Sequence, residues 1–163
     1  MKSKELSDKE IEFIDSFSIE EARGFTIERL YEIEMILDDL ITNHFNPDDE
    51  WDFKLYLLNG NILDLGKKIK ILNGLEIINN KLADKLRRIS SIRNSCAHAG
   101  IDIVHSLEIF SDDLKKKEIK PKKRLDVMKS NGKIESKYLT ELLIEYSKLY
   151  KSLKSELLEL KYK

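Results

Sequence analysis

A single cysteine, Cys96, excludes any disulfide within the chain and suits a reducing, cytoplasmic setting. Only two prolines and six glycines interrupt 163 residues, a scarcity that favours helices. Three histidines, His44, His98 and His105, show no H-x3-H or Cys/His spacing, so no metal site is expected. No glycine-rich loop cradles a phosphate, because Asn59-Gly60-Asn61 and Asn73-Gly74 read as turns, and no cofactor is expected. No apolar run reaches the length of a membrane span, and Met1-Lys2-Ser3-Lys4-Glu5 leads into no signal-peptide core. A charge excess of one sign is also missing: 29 Lys and Arg face 30 Asp and Glu, a net charge of −1. Such a chain has no global field to draw in nucleic acid, so any such contact must come from a local patch. These absences predict a cytoplasmic protein without a membrane segment, built as one domain over residues 1–163.

What the sequence does contain is helical periodicity. Ser7-Asp8-Lys9-Glu10 forms a capping box that opens a short helix through Ile11, Ile14 and Phe17. Ser18-Ile19-Glu20-Glu21 starts the longest helix, roughly seven turns to Phe45, with Phe25, Ile27, Leu30, Ile33, Ile36, Leu37, Leu40 and Ile41 at helical spacing. Asn46-Pro47-Asp48-Asp49 breaks it. The densest apolar segment follows, Trp51, Phe53, Leu55, Tyr56, Leu57 and Leu58. A helix over about 63–72 ends at Asn73-Gly74, and another covers about 79–99. Beyond Gly100 the texture changes: Ile101 to Val104 and Leu107 to Phe110 read as extended chain, Leu125 to Met128 as a returning strand, and Asn131-Gly132 as a turn. Ser136 is expected to cap a last helix whose Leu139, Leu142, Leu143, Tyr146, Leu149, Tyr150, Leu153, Leu157 and Leu160 form a core-facing stripe. The predicted fold is mainly all-α: an up-and-down bundle of five or six helices with a small β-hairpin or irregular arm near residues 103–133.

The segment Arg87 to Gly100 carries the densest candidate chemistry. Leu82, Leu86, Ile89, Ile92 and Cys96 share one arc of its helix and face a core, with Cys96 a buried filler rather than a nucleophile. Ser90, Ser91, Asn94, Ala97 and His98 share another, with Arg93 at the border. That arc is polar but small, so a second surface can approach closely. Arg93 and His98 stand about 140° apart on an ideal helix. Either the helix loosens near His98, or a second copy of the chain completes a site.

Arg93-Asn94-Ser95-Cys96-Ala97-His98 resembles the R-x4-6-H signature of the HEPN superfamily. Glu21-Ala22-Arg23-Gly24, Leu65-Gly66-Lys67-Lys68-Ile69-Lys70 and Ile92-Arg93-Asn94 before Ala97-His98 are similar to its mannitol operon repressor-like branch, so that the resemblance covers roughly residues 18 to 100. It implies a HEPN-type helical bundle. It also implies a homodimeric, metal-independent endoribonuclease of toxin or phage-defence type, with RNA as substrate, a 2′,3′-cyclic phosphate as product and an antitoxin as potential partner. The same resemblance supports a different class, a non-catalytic regulator or an interaction module for protein or nucleic acid.

Metal-free RNA cleavage needs a base for the 2′-hydroxyl, an acid for the leaving 5′-oxygen and a cation for the phosphorane. Arg93 suits the cation, since its planar fork matches phosphate oxygens and stays protonated. His98 suits proton transfer, and Asn94 would hold phosphate or fix the histidine. The plain alternative is that Arg93 pairs with a core carboxylate while His98 caps a helix end. Arg23 and Glu34 fall on one face of the long helix; with Ser90 they form the expected supporting shell, where Glu34 either orients Arg93 or His98 or joins an ordinary ion pair. Asp38 and Asp39 read as solvated. The basic run Lys115, Lys116, Lys117, Lys120, Lys122, Lys123 and Arg124 is read as a nucleic-acid-binding arm, a flexible soluble loop, or a contact for an acidic partner protein.

Overall fold

The computed structural model of the protein describes residues 6–98, 101–104, 122–128 and 134–162. Among these the architecture is mainly helical with a small antiparallel sheet, as the composition and periodicity predict. Capping boxes begin the first two helices. The Ser7 hydroxyl accepts from the Glu10 amide while the Glu10 carboxylate accepts from the Ser7 amide, opening α1 (Asp8–Asp15). Ser18 and Glu21 repeat that exchange at the start of α2 (Ile19–Phe45). α2 runs 27 residues and ends where Asn46 turns left-handed, at φ 44°. Asp49 caps the single turn α3 (Glu50–Asp52), which continues as a π-helical turn over Phe53–Leu57. α4 (Leu65–Gly74) is capped by Asp64, and α5 (Asn80–His98) by Asn79, whose side-chain oxygen accepts from the Leu82 amide.

Three local expectations are corrected. The small β arm forms, and it holds three strands: β1 (Ile101–Val104), β2 (Lys122–Met128) and β3 (Ile134–Tyr138) pair antiparallel in the order β1-β2-β3. It reaches beyond the range of 103–133, because Ile101 pairs with Leu125 and Arg124 with Tyr138. Ser136 is no helix cap; it sits inside β3, and α6 (Leu139–Lys161) leaves the sheet directly through Tyr138 with no side-chain cap. Gly74 does not stop α4. The left-handed residue is Glu76, at φ 57°, where the Glu76 and Ile77 amides donate to the Asn73 and Leu72 carbonyls and close the helix end. Leu107 to Phe110, Asn131-Gly132, His105 and Gly100 lie outside the described residues.

α2, α5 and α6 pack on one another, α4 leans on α2 and α5, and β2 lies against α5 and α6. Ile33, Leu37, Leu86, Ile89, Leu142 and Tyr146 fill the interior, and Leu125 is the strand residue that enters it. The Tyr146 hydroxyl donates to the Thr26 carbonyl at 2.6 Å, tying α6 to α2 inside the core. At the rim of the core, Arg88 pairs with Glu145 through two nitrogens, while Lys154 and Tyr150 converge on Glu32. The segment with the densest apolar composition is mostly outside: Leu58 is buried, but Trp51 is 74% exposed, with Leu55, Tyr56 and Leu57 also exposed.

Candidate functional site

α5 carries the site because one of its faces is fully committed to the core. Leu82, Leu86, Ile89, Ile92 and Cys96 are all buried, as their spacing predicts, and Ala83 joins them. Burial pushes the Cys96 thiol up to about 11, against a small opposing effect of Arg23, so it is an inert filler. The opposite, polar arc is thereby held at the surface. Asn94 is exposed there, while Ser90, Ser91, Arg93 and Ala97 are half-buried.

Arg93 is held without being neutralised. Its Nη1 donates to the Asn94 side-chain oxygen at 2.9 Å, and its Nε is buried with no hydrogen-bond partner among the described residues. Among the described residues no carboxylate lies within 4 Å of it, whereas Lys54, Lys68, Lys85, Arg87, Arg88, Lys151, Lys154 and Lys161 each have one. The alternative in which Arg93 pairs with a core carboxylate is therefore not what the fold does. His98 is the last residue of α5, and its side chain lies outside the described residues.

The supporting residues divide. Arg23 does reach the segment, but it binds backbone: its Nε donates to the Cys96 carbonyl at 3.1 Å, anchoring the last turn of α5 to α2. Such a carbonyl near a helix end welcomes a cation. Glu34 faces the same interface. Burial raises its carboxyl above the ordinary 4.5; the nearby charges of Lys68 and Arg93 lower it, and Asp38 raises it again. Burial dominates, so the ionised form is penalised in the fold. The contribution of Glu34 to stability is then full below about 4.5 and falls as pH rises through its raised value. Glu34→Gln is expected to raise Tm at pH 7.5 and leave it unchanged near pH 4, measured by thermal denaturation at both. Ser90 is half-buried on α5.

Asp38 and Asp39, expected in solvent, are both engaged by the fold, Asp38 at this interface and Asp39 by lysines of the π-helical turn and α6. Asp38 accepts from Lys68, whose Nζ lies 2.9 Å from one carboxylate oxygen and 2.7 Å from the other. Lys68 is only 2% exposed. Asp39 bridges Lys54 and Lys161, each at 2.7 Å. The clue in the sequence is that Asp38 falls eleven and four residues beyond Ile27 and Glu34, on the same side of α2, but nothing local says that a lysine of α4 will be buried against it.

The basic run is only partly described. Lys115, Lys116, Lys117 and Lys120 lie outside the described residues, as does the Lys122 side chain. The other two are engaged by the fold: Lys123 Nζ donates to the Phe17 carbonyl, and Arg124 lies 5.6 Å from the Tyr138 ring across the β2–β3 pair. That end of the run is a pinned strand rather than a loose arm. Among the described residues no three His, Cys, Asp or Glu side chains come together as a metal site, and no helix is long and apolar enough to cross a membrane. In comparisons with known proteins, the chain matches no family model, no curated protein and no solved structure.

Proposed function

We propose that the protein is a metal-independent endoribonuclease of HEPN type that works as a homodimer in the cytoplasm, as a toxin or defence effector. The observation that carries this reading is the unpaired guanidinium of Arg93, half-buried on a surface of small side chains and braced by Asn94. A guanidinium held in place, with free donors and no carboxylate, is suited to a phosphate. Arg93 would stabilise the phosphorane, His98 would move the protons, and the Asn94 amide would position one or the other. Glu34 would keep Arg93 oriented.

The two-copy arrangement has its own support. α5 continues through His98. A continuous helix sets Arg93 and His98 about 140° apart, so one copy does not aim both at a single phosphate. Beside Glu34, Ile27, Tyr31 and Met35 form an exposed apolar stripe on α2, with Tyr31 63% exposed. Ile27, Tyr31 and Glu34 lie within roughly 60° of one another around that helix, so a second copy seated on the stripe would bring its own α5 to the same cleft. Tyr31→Glu is then expected to give monomers and lose cleavage together.

The test is direct. Purified protein is incubated with single-stranded RNA in excess EDTA, and the new 5′ fragments are probed for a 2′,3′-cyclic phosphate. Cleavage that persists in chelator and leaves that end supports the reading; intact RNA at stoichiometric protein rejects it. A second reading, a non-catalytic protein-binding module, is favoured by one observation, the exposed Trp51, Leu55, Tyr56 and Leu57. Intact RNA together with a partner lost on Trp51→Ala would select it.

A further inference from the structure

A pocket of about 260 Å³ opens between α1, α2 and α6, and Arg93 is not among its lining residues. Its volume is far above the ~10–15 Å³ that one ordered water requires. Its walls are aromatic: Phe13 and Phe25 line it, each stacked edge-on against Phe17 at 4.8 and 5.1 Å. Phe13 is 59% exposed, an expensive place for a phenyl ring unless something covers it.

Among the described residues, two polar groups in the same pocket lack a carboxylate or hydrogen-bond partner. Arg29 lies with its guanidinium 3.6 Å above the Phe25 ring and 5.6 Å from that of Tyr150. No carboxylate lies within 4 Å of it among the described residues. Glu32, which acts on it from further away, is held by Lys154 and Tyr150. Ser147 also lines the pocket; it is only 5% exposed, and its hydroxyl has no hydrogen-bond partner among the described residues. A buried hydroxyl left unpaired costs stability, and a helical serine ordinarily satisfies itself on the carbonyl four residues back. The remaining charges are Lys151 and Glu10, paired with each other. With Arg29 they leave the lining one positive charge in excess, which a monoanion neutralises.

We propose that this pocket binds a small amphipathic monocarboxylate. Its apolar body would lie between Phe13 and Phe25, its carboxylate would meet Arg29, and Ser147 would donate a hydrogen bond to it. The ligand would bridge α1 to α2. Among the described helices α1 packs mainly on α6, so occupancy should also slow amide exchange throughout α1.

The site is independent of RNA chemistry and is tested without it. The full chain is titrated with phenylacetate, 3-phenylpropionate and hexanoate, each beside its neutral amide, by ligand-observed NMR, with amide exchange followed in α1. At least one acid is expected to bind about tenfold or more tightly than its amide, because the charge-assisted contact to Arg29 is lost in the amide. Arg29→Gln should erase that preference, and Phe13→Ala, a change at an exposed ring, should weaken acid and amide alike. The proposal is overturned if none of the acids binds, if acid and amide bind equally, or if binding survives both substitutions unchanged.

Discussion

Arg93→Ala is expected to slow RNA cleavage by about 10²–10³-fold, the usual cost of deleting one group that stabilises charge in the transition state. The fold should survive. Among the described residues Arg93 is half-buried, has no carboxylate within 4 Å and donates a hydrogen bond to the exposed neighbour Asn94, so its removal breaks no direct ion pair and takes from Glu34 only a longer-range attraction. Circular dichroism and urea denaturation should therefore place the variant within about 1 kcal/mol of the parent. His98→Ala should lose about 10²–10⁴-fold, the range for a general acid or base. The informative experiment mixes the two. Each variant alone should retain only that residual activity, but a mixed dimer would hold one intact Arg93 and one intact His98 on different chains. Recovery of activity on mixing supports a shared cleft. If neither substitution changes cleavage by the parent protein, the activity resides elsewhere and the assignment of Arg93 is lost.

Asp38→Ala should cost about 3–5 kcal/mol of folding stability, the largest loss expected from any single change at the α2–α4 interface. The reason is the residue left behind. Lys68 is nearly sealed, and Asp38 is the carboxylate that meets its ammonium group. A buried ammonium without its anion keeps the full desolvation penalty. Asp38 is itself uncomfortable: burial raises its carboxyl above the usual range, against the pull of Lys68. Replacing both partners, Asp38→Leu with Lys68→Met, should therefore recover most of the loss, since the apolar pair has no charge to desolvate. Urea denaturation followed at 222 nm measures both. A single variant within 1 kcal/mol of the parent would show that water reaches Lys68, and that the pair contributes as little as one on the surface.

Much of this architecture could be read along the chain because its signals are local. Ser7 with Glu10 and Ser18 with Glu21 are capping boxes whose partners stand three positions apart, and both form. The core stripes of α5 and α6 follow from spacing alone, and Leu82, Ile89, Cys96, Leu142, Tyr146 and Leu153 are all buried. Density of apolar residues misled where periodicity was absent. Trp51, Tyr56 and Leu57 crowd one short segment, yet Trp51 on α3 and Tyr56 and Leu57 on the π-helical turn that follows are all exposed. Ser136 misled for a related reason: a serine before an apolar run is the mark of a cap, but β2 offered a strand partner for Ser136 at Asp126.

The main helices, the first two caps and the inward faces of α5 and α6 were already written in residue order, because capping and amphipathicity act within one or two turns. The placement of Arg93 on a surface of small side chains was legible for the same reason. Partnership was not. That Arg23 would anchor the end of α5, that Lys68 would vanish beneath Asp38, and that Arg93 would be left without a carboxylate depended on which helices met. Those encounters join residues thirty or seventy positions apart, and charge pairing at such separation is set by packing, which no local pattern encodes.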